Sequence, residues 1–454
     1  MLPPLIALIT LAGLSIGPFW RKHRDHLPLF LWAVYCGLGP VEVLGVQPLR
    51  YRWVMAFVIG AFGCWWFSRS RPRTLDSMTV TPLLFIAWAF TSVIYSDIPK
   101  YSFARAGALV PMYAAVFLGV RALLKRPQGI ERVARCLLTM MGVSLALSIA
   151  YWISNEDIVG TTAQQMASKS YRFQGHLKAT GIAHAIAAAT PFLVLLLTKT
   201  RGWRSGALLA ATALSLYLLL LTRSRGGLIS CAAVIPICYF AIFRELRTAR
   251  TVVYTLIVAI LGTIAWQAFG TEDTAAFLRL GDAASMLRTR VEGRWDIIWD
   301  GAMQNPLIGN GYGAVRFVSQ TGATSWDLGS TRENQIMTHN EYLSLFYDLG
   351  VVPTLAFLGF MATIAARGLR SLRWPPSPLR SLLIATFMSW FVDALDTISH
   401  DGLMTIGNPV ATWFWIKSLM IYYGYDRLRG ADIIDDRAAN QGRPDRGNRP
   451  STAT

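Results

Sequence analysis

The chain contains a long series of apolar stretches, and these limit the folds that it can adopt. A helix crosses the bilayer core, which is about 30 Å thick, in roughly 20 residues. Hydrophobic residues make up 53% of the 454 residues and charged residues only 15%, which predicts an integral membrane protein. The predicted spans are 3–20, 27–46, 51–67, 79–95, 103–121, 134–154, 180–198, 205–222, 227–243, 251–269, 340–366, 379–396 and 403–424.

The apolar stretches are continuous, as in Leu214–Leu221 and Thr251–Leu261. Transmembrane β-barrels need strands with alternating polarity, whereas a helix closes its backbone hydrogen bonds within one continuous segment. The predicted fold class is therefore all-α, a polytopic protein with about 12–13 transmembrane helices. The lower number applies if residues 3–20 form a shallow or re-entrant helix.

Basic residues are dispersed among the short connections between the apolar stretches, although the net charge is +17. This dispersion argues against a nucleic-acid-binding domain. The basic residues concentrate in alternate connections, which the positive-inside rule assigns to the cytoplasm. They include Arg21, Lys22, Arg24, Arg69, Arg71, Arg73, Arg121, Lys125, Arg126, Lys199, Arg201, Arg204, Arg244, Arg247, Arg250, Arg367, Arg370, Arg373 and Arg380. Segment 155–179 and the large loop 270–338 are then predicted to lie outside.

Two regions of different composition divide the chain. Residues 1–426 are predicted to form one transmembrane domain. Residues 427–454 are rich in Arg, Asp, Asn, Gly and Pro, and we expect a disordered cytoplasmic tail there. The five cysteines lie in or beside apolar spans and outside both outer segments, so neither disulfides nor a zinc site is expected.

The strongest candidate for chemistry is His339, which follows the large outer loop directly. Thr338 and Glu341 have the spacing of a capping box, which predicts a helix start at Thr338 and His339 at the first helical position. The positive end of the helix dipole disfavours an imidazolium there and leaves a neutral ring that can accept a proton. Capping is the favoured role for Glu341. The alternative for His339 is a histidine tolerated at a wet helix end.

The outer loop itself predicts an amphipathic helix, because apolar side chains recur at helical spacing with arginines before or beside them. The apolar residues are Trp295, Ile298, Trp299 and Ala302, and the arginines are Arg288, Arg290 and Arg294. Such a helix could contribute to a site. It could equally be an interfacial anchor, with tryptophans toward the bilayer and arginines toward head groups.

A glycine-rich stretch, Asn305–Gly313, follows this helix. Its glycines could bring backbone N–H groups close to a phosphate. However, no Lys-Ser or Lys-Thr pair follows and no strand precedes, so a P-loop is excluded. A tight turn is the favoured interpretation.

A second group of arginines lies at Arg223 and Arg225, between two apolar spans and before Gly226 and Gly227. By the predicted topology this pair is on the outer side, where arginine at the membrane is costly enough to indicate a function. Arginine forks bind phosphate through two parallel hydrogen bonds. The alternative is a pair of snorkelling side chains at a turn. Arg172 is a further outer arginine with a weaker case.

Three landmarks together resemble the O-antigen ligase and polysaccharide polymerase superfamily. They are Ser224–Gly227 at the start of a span, Arg294 with its tryptophans ahead of Asn305–Gly311, and Thr338–Leu343 followed by Asp348–Gly350. The resemblance covers about 220–424, and the front half matches only as a hydropathy pattern. Members of the superfamily move lipid-diphosphate-linked glycans on the outer face of the bacterial inner membrane.

The resemblance implies an essential histidine at His339 and essential arginines at Arg225 and Arg294. It implies metal-independent glycosyl transfer from an undecaprenyl-diphosphate donor, without a cofactor, at the periplasmic face of the inner membrane. Further contacts to the diphosphate or glycan are expected from Arg223, Arg172, Arg288, Glu341, Trp295 and Trp299.

Polymerisation of lipid-linked repeat units into exopolysaccharide or O-antigen is the favoured activity. The first alternative is a ligase that transfers the glycan to lipid A core or protein. The second is a transporter of the lipid-linked glycan, which is disfavoured because we find no internal repeat and the candidate residues cluster at one face. Expected partners are the bilayer, the lipid-linked donor, a glycan or lipid A core acceptor, and a chain-length regulator or export proteins, without nucleic acid.

Overall fold

The computed structural model describes residue 60 and residues 76–126, 128–154, 179–222, 224–242, 294–318, 338–398 and 409–441. These residues fold predominantly into helices that pack as a bundle. The helices are α1 Ser77–Thr91, α2 Pro99–Met112, α3 Arg121–Leu124, α4 Gly129–Ser154, α5 Ala179–Lys199, α6 Trp203–Leu221, α7 Arg225–Ile242, α8 Asp296–Gln304, α9 Glu341–Leu349, α10 Val351–Ser371, α11 Pro378–Asp396 and α12 Pro409–Gln441. A π-helix, Tyr113–Val120, joins α2 to α3, and short 3₁₀ helices occupy Ser92–Ile94 and Ala314–Phe317.

Within the described residues, six helical segments are long and apolar enough to cross a membrane, so the prediction of an all-α polytopic membrane protein is confirmed. They are Ser77–Ile94, Pro99–Leu124, Thr180–Lys199, Trp203–Leu221, Val351–Ser371 and Pro378–Asp396. The predicted spans 3–20, 27–46 and 251–269, and 51–67 apart from Gly60, lie outside the described residues. The total of 12–13 spans stays a prediction.

The predicted span 340–366 is two helices in the structure. The short helix α9 ends at Leu349, and α10 begins at Val351. Gly350 separates them with a φ of +78°, and a Cβ there would lie 2.3 Å from the carbonyl oxygen of Leu307. Only glycine fits such a break without strain. The sequence pattern failed here because α9 is apolar on one side and continues directly into an apolar span.

The C-terminal helix α12 also differs from expectation. It extends to Gln441, so the first part of the predicted disordered tail, residues 427–441, is helical. Arg427 contributes to this continuation, because its guanidinium donates to the carbonyl oxygen of Leu124 at 2.5 Å. Residues 442–454 lie outside the described residues.

The centre of the bundle is formed by α5, α7, α11 and α12. Aromatic rings stack along the contact between α11 and α12, where the centroids of Trp390 and Phe414 lie 5.8 Å apart. Ser377 starts α11 by accepting a hydrogen bond from the N–H of Arg380, and Pro378 occupies the first helical turn. The bundle therefore combines a buried aromatic core with a well-defined turn between α10 and α11.

Basic side chains gather at one end of the bundle, which we call the basic end. Arg121 forms an ion pair with Asp76 at 3.1 Å, and Lys125 lies 3.6 Å from the same carboxylate. Arg367 pairs with Asp426 at 2.8 Å. The Tyr423 hydroxyl of α12 donates to Asp76 at 2.8 Å, so the start of α1, the end of α10 and this part of α12 lie together at this end.

Helix α9 lies across the opposite end. A short turn joins α10 to α11, so the start of α10 and the end of α11 are at the same end of the bundle. Gly350 leads from α9 into α10, while the N–H of Glu341 at the other end of α9 donates to the carbonyl of Thr397 at 3.1 Å. The hydroxyl of Tyr342 donates to the carbonyl of Ala394 at 3.2 Å. We call this the site end.

Candidate active site

His339 adopts a left-handed backbone conformation just before α9, with a φ of +48°. The helix begins at Glu341, and its N-cap is Asn340, whose side-chain oxygen accepts from the N–H of Leu343 at 3.1 Å. The predicted capping box of Thr338 and Glu341 is therefore wrong, and so is the prediction that His339 occupies the first helical position, because His339 precedes the N-cap. The N–H of Glu341 instead bonds to Thr397, a partner distant in sequence.

The residues around His339 are held firmly on both sides. The Thr338 hydroxyl is buried and lies 2.6 Å from the hydroxyl of Ser344. The Thr338 carbonyl accepts a hydrogen bond from the indole N–H of Trp295 at 2.7 Å. A non-glycine residue at positive φ costs about 1–3 kcal/mol and persists only where neighbouring structure determines it. The hydrogen bonds of Thr338, Asn340 and Glu341 fix the backbone on both sides of His339 and so maintain this conformation.

Arg294 is brought to the same place by its neighbour. It directly precedes Trp295, whose indole bonds to the residue before His339. Among the described residues, the half-buried Arg294 side chain has no hydrogen-bond or ion-pair partner. The structure therefore brings the segments of Arg294 and His339 together.

The predicted amphipathic helix in the outer loop is present as α8. Its buried face consists of Ile298 and Ala302, which pack against Tyr347 of α9. Trp299 is 51% exposed and lies 5.5 Å from the ring of Phe346. Helix α8 is thus fixed to the protein by its aliphatic face. Trp295 is hydrogen-bonded to Thr338, whereas Trp299 is half exposed.

The glycine-rich stretch Asn305–Gly313 forms a compact loop that docks on the end of α9, as the tight-turn interpretation predicts. The N–H of Asn310 donates to the carbonyl of Tyr347 and that of Gly311 to the carbonyl of Asp348, both at 2.9 Å. The Asn310 side chain accepts from Asn305 at 2.8 Å. The glycine backbone N–H groups of Gly311 and Gly313 are therefore engaged by α9.

Asp348 anchors this loop from inside the protein. Its two oxygens accept hydrogen bonds from the N–H of Gly313 at 2.7 Å and of Val315 at 2.9 Å. Burial raises the pKa of Asp348 to about 7, although the two backbone donors and the charge of Arg105 counter part of that rise. The Arg105 guanidinium lies 5.4 Å from the ring centroid of Tyr312. The loop is thus held by a buried carboxyl beside a cation.

Arg225 is the first residue of α7, and only its backbone is described. Two residues later, a Cβ at Gly227 would lie 2.8 Å from the Cβ of Ala183 near the start of α5. The next residue of α5, His184, contacts Asp396 at the end of α11. The start of α7 is therefore at the site end, where His339 and Arg294 lie.

The remaining predicted site residues have different outcomes. Glu341 is buried, with 5% of its surface exposed, and its backbone N–H donates to the carbonyl of Thr397, the residue after α11. Arg172, Arg223 and Arg288 lie outside the described residues.

A buried ionic cluster at the site end was missed by our sequence analysis. His184 lies 2.7 Å from Asp396 and 2.8 Å from Asp393, and Lys417 pairs with Asp393. All four are ionisable residues within predicted spans, which by itself indicates a functional candidate. Their location within apolar stretches is the sequence signal that identifies such residues.

A family model for O-antigen ligase matches residues 210–358. The matched region contains Arg225, Arg294 and His339. The predicted resemblance is confirmed for this region. It supports a ligase or polymerase role in polysaccharide biosynthesis. No curated protein matches the chain.

Proposed function

We propose that the protein is a membrane glycosyltransferase that polymerises undecaprenyl-diphosphate-linked repeat units into exopolysaccharide or O-antigen. The substrate class comes from the family resemblance over residues 210–358. The observation that carries the site assignment is the left-handed conformation of His339, held beside Arg294 by the Trp295–Thr338 hydrogen bond. Backbone strain of this kind clusters at active sites.

In the proposed reaction, a hydroxyl oxygen of the acceptor sugar attacks the anomeric carbon of the donor sugar. A new C–O bond forms as the bond to the diphosphate oxygen breaks, and the lipid diphosphate leaves with the bonding electrons. His339 takes the hydroxyl proton as a general base. His339 lies directly before the N-cap of α9, at the positive end of the helix dipole. A single displacement inverts the anomeric configuration.

Arginines are proposed to stabilise the leaving group. A diphosphate carries roughly two to three negative charges, and planar guanidinium forks bind its oxygens in pairs. Arg225 and Arg294 are assigned this role, with no requirement for a metal ion. Arg172, Arg223 and Arg288 are proposed as further diphosphate contacts, and Trp295, Trp299 and Glu341 as glycan contacts or supports.

The protein is proposed to lie in the bacterial inner membrane with its site end in the periplasm. The support is charge distribution, because Arg121, Lys125 and Arg367 lie at the basic end, opposite His339. The positive-inside rule assigns such an end to the cytoplasm.

A ligase is the second candidate activity, and one observation favours it. The matching family model carries the description O-antigen ligase. In that reaction the same donor chemistry would deliver a finished glycan to lipid A core or protein, so that only the acceptor differs.

The test uses the full chain in proteoliposomes with an undecaprenyl-diphosphate-linked repeat unit as donor. We expect a ladder of glycan products on the lipid carrier, and the ladder should persist in EDTA. A single transfer that occurs only when lipid A core is added would identify the ligase. Movement of the donor across the bilayer without a new glycosidic bond would reject both enzymatic activities.

Sidedness is tested with single cysteines in a variant that lacks the five native cysteines. Asp300 in α8 and Arg373 after α10 are both exposed and flank opposite ends of the bundle. An impermeant maleimide added from the periplasm should label Asp300→Cys and leave Arg373→Cys unlabelled. The reverse pattern would place the site end in the cytoplasm and contradict the proposal.

A further inference from the structure

Four ionisable side chains form one buried cluster between three helices. His184 belongs to α5, Asp393 and Asp396 to α11, and Lys417 to α12. The side chains of His184, Asp393 and Lys417 are at most 2% exposed, and that of Asp396 is 11% exposed. Removing one partner of such a cluster leaves an uncompensated buried charge, so its members depend on each other.

The geometry of His184 fits a proton on each ring nitrogen. Nδ1 lies 2.7 Å from an oxygen of Asp396, and Nε2 lies 2.8 Å from an oxygen of Asp393. Ionised carboxylates only accept hydrogen bonds, and a neutral imidazole has a single N–H. With an imidazolium at His184 and an ammonium at Lys417, two positive charges balance two carboxylates. The charges of these four described side chains therefore balance, and both ring nitrogens of His184 have a partner.

On one side, the cluster reaches the helix that Arg225 begins. His184 follows Ala183, which is the close neighbour of Gly227 in α7. A Cβ at Gly227 would come within 2.8 Å of the Ala183 Cβ, so α5 and α7 touch with almost no intervening space. The position of the α7 start is consequently tied to the segment of α5 that carries His184.

On the other side, the cluster reaches the helix that follows His339. Asp396 ends α11, and the next residue, Thr397, accepts the N–H of Glu341 at 3.1 Å. The Thr397 hydroxyl also lies 3.2 Å from that of Tyr342. Asp396 and His339 are thus linked through Thr397 and Glu341.

We propose that His184 and Asp396 are positioning residues, which set the place of His339 relative to Arg225 by joining α5 to the end of α11. The functional part of this inference rests on the proposed glycosyl transfer. Loss of the His184–Asp396 contact should release the start of α9 at the site end while leaving the basic end in place. Displacement of a reacting group by about 1 Å can cost on the order of 100-fold in rate.

The test combines hydrogen exchange with turnover in the full chain reconstituted in nanodiscs. In His184→Gln, amides of residues 338–343 should exchange about tenfold faster than in the wild type, and those of 372–380 should not change. The glycan transfer kcat should fall about 10–100-fold with an unchanged KM for the lipid-linked donor. Thr386→Val is the matched control, because Thr386 is buried in α11 and its hydroxyl donates to the carbonyl of Leu382 in its own helix, and it should behave as the wild type.

A second variant distinguishes loss of the His184–Asp396 contact from general misfolding. His184→Gln alone leaves one excess buried negative charge, whereas His184→Gln combined with Asp396→Asn restores the balance with Lys417 and Asp393. The double variant should regain part of the protection at 338–343. Unchanged exchange at 338–343 in His184→Gln, or an equal increase at 372–380, would overturn the positioning role. Absence of transfer by the wild type would contradict the proposed function alone, since exchange still decides whether His184 positions the start of α9.

Discussion

The indole N–H of Trp295 donates to the carbonyl oxygen of Thr338 at 2.7 Å. This bond joins the residues that lead into two helices, because Arg294 lies two residues before α8 and His339 two residues before α9. Packing of Ile298 and Ala302 against Tyr347 holds α8 and α9 together next to this bond. The relative position of the candidate base and one candidate arginine therefore depends on this contact.

Trp295→Phe should reduce glycan transfer about fivefold, since it removes one hydrogen bond, a contribution of about 1 kcal/mol, and frees the segment before α9. Trp203→Phe is the matched control. Its side chain is 80% exposed at the start of α6, away from the site end, so activity should be close to that of the wild type. Initial rates on the lipid-linked donor measure both. Equal rates for the two variants would show that the Trp295 hydrogen bond does not position the candidate site.

The Arg294→Lys and Arg225→Lys variants should each lose most of the glycan-transfer activity. Lysine keeps the positive charge but lacks the planar fork that binds two phosphate oxygens at once. Arg370→Lys, at an exposed position at the basic end, should have no effect. Titration of the purified variants with the lipid-linked donor and measurement of their turnover would check this. Wild-type activity in both site variants would indicate that the arginines only snorkel.

Because of Asp348, the free energy of unfolding of the protein should depend on pH. Its folded-state pKa of about 7 lies above its ordinary value, so the folded protein holds this proton over a range in which the unfolded chain has lost it. Stability from this group is present in acid and declines as pH rises through about 7, by at most about 1.4 kcal/mol per pH unit. Thermal unfolding in detergent from pH 5 to pH 8 should show a decline that Asp348→Asn lacks. Parallel curves for the two proteins would refute this assignment.

The sequence predicted those features of the fold that depend on local pattern. Continuous apolar stretches gave the helices, and the spacing of Ile298 and Ala302 gave α8. The capping box failed because nothing near Glu341 in sequence reveals that its N–H is taken by Thr397. The pairing of His184 with Asp396 likewise joins residues that are far apart in the chain, so only their unusual location within apolar spans could have indicated it.

The most direct test of the account is glycan transfer by His339→Ala and His339→Gly. Both variants should insert and accumulate as the wild type does but form no product, because the proton acceptor is gone. His339→Gly should also unfold at an equal or higher temperature than the wild type, since glycine adopts the φ of +48° without strain. Normal polymer yield in either variant would contradict the role of His339 as the catalytic base.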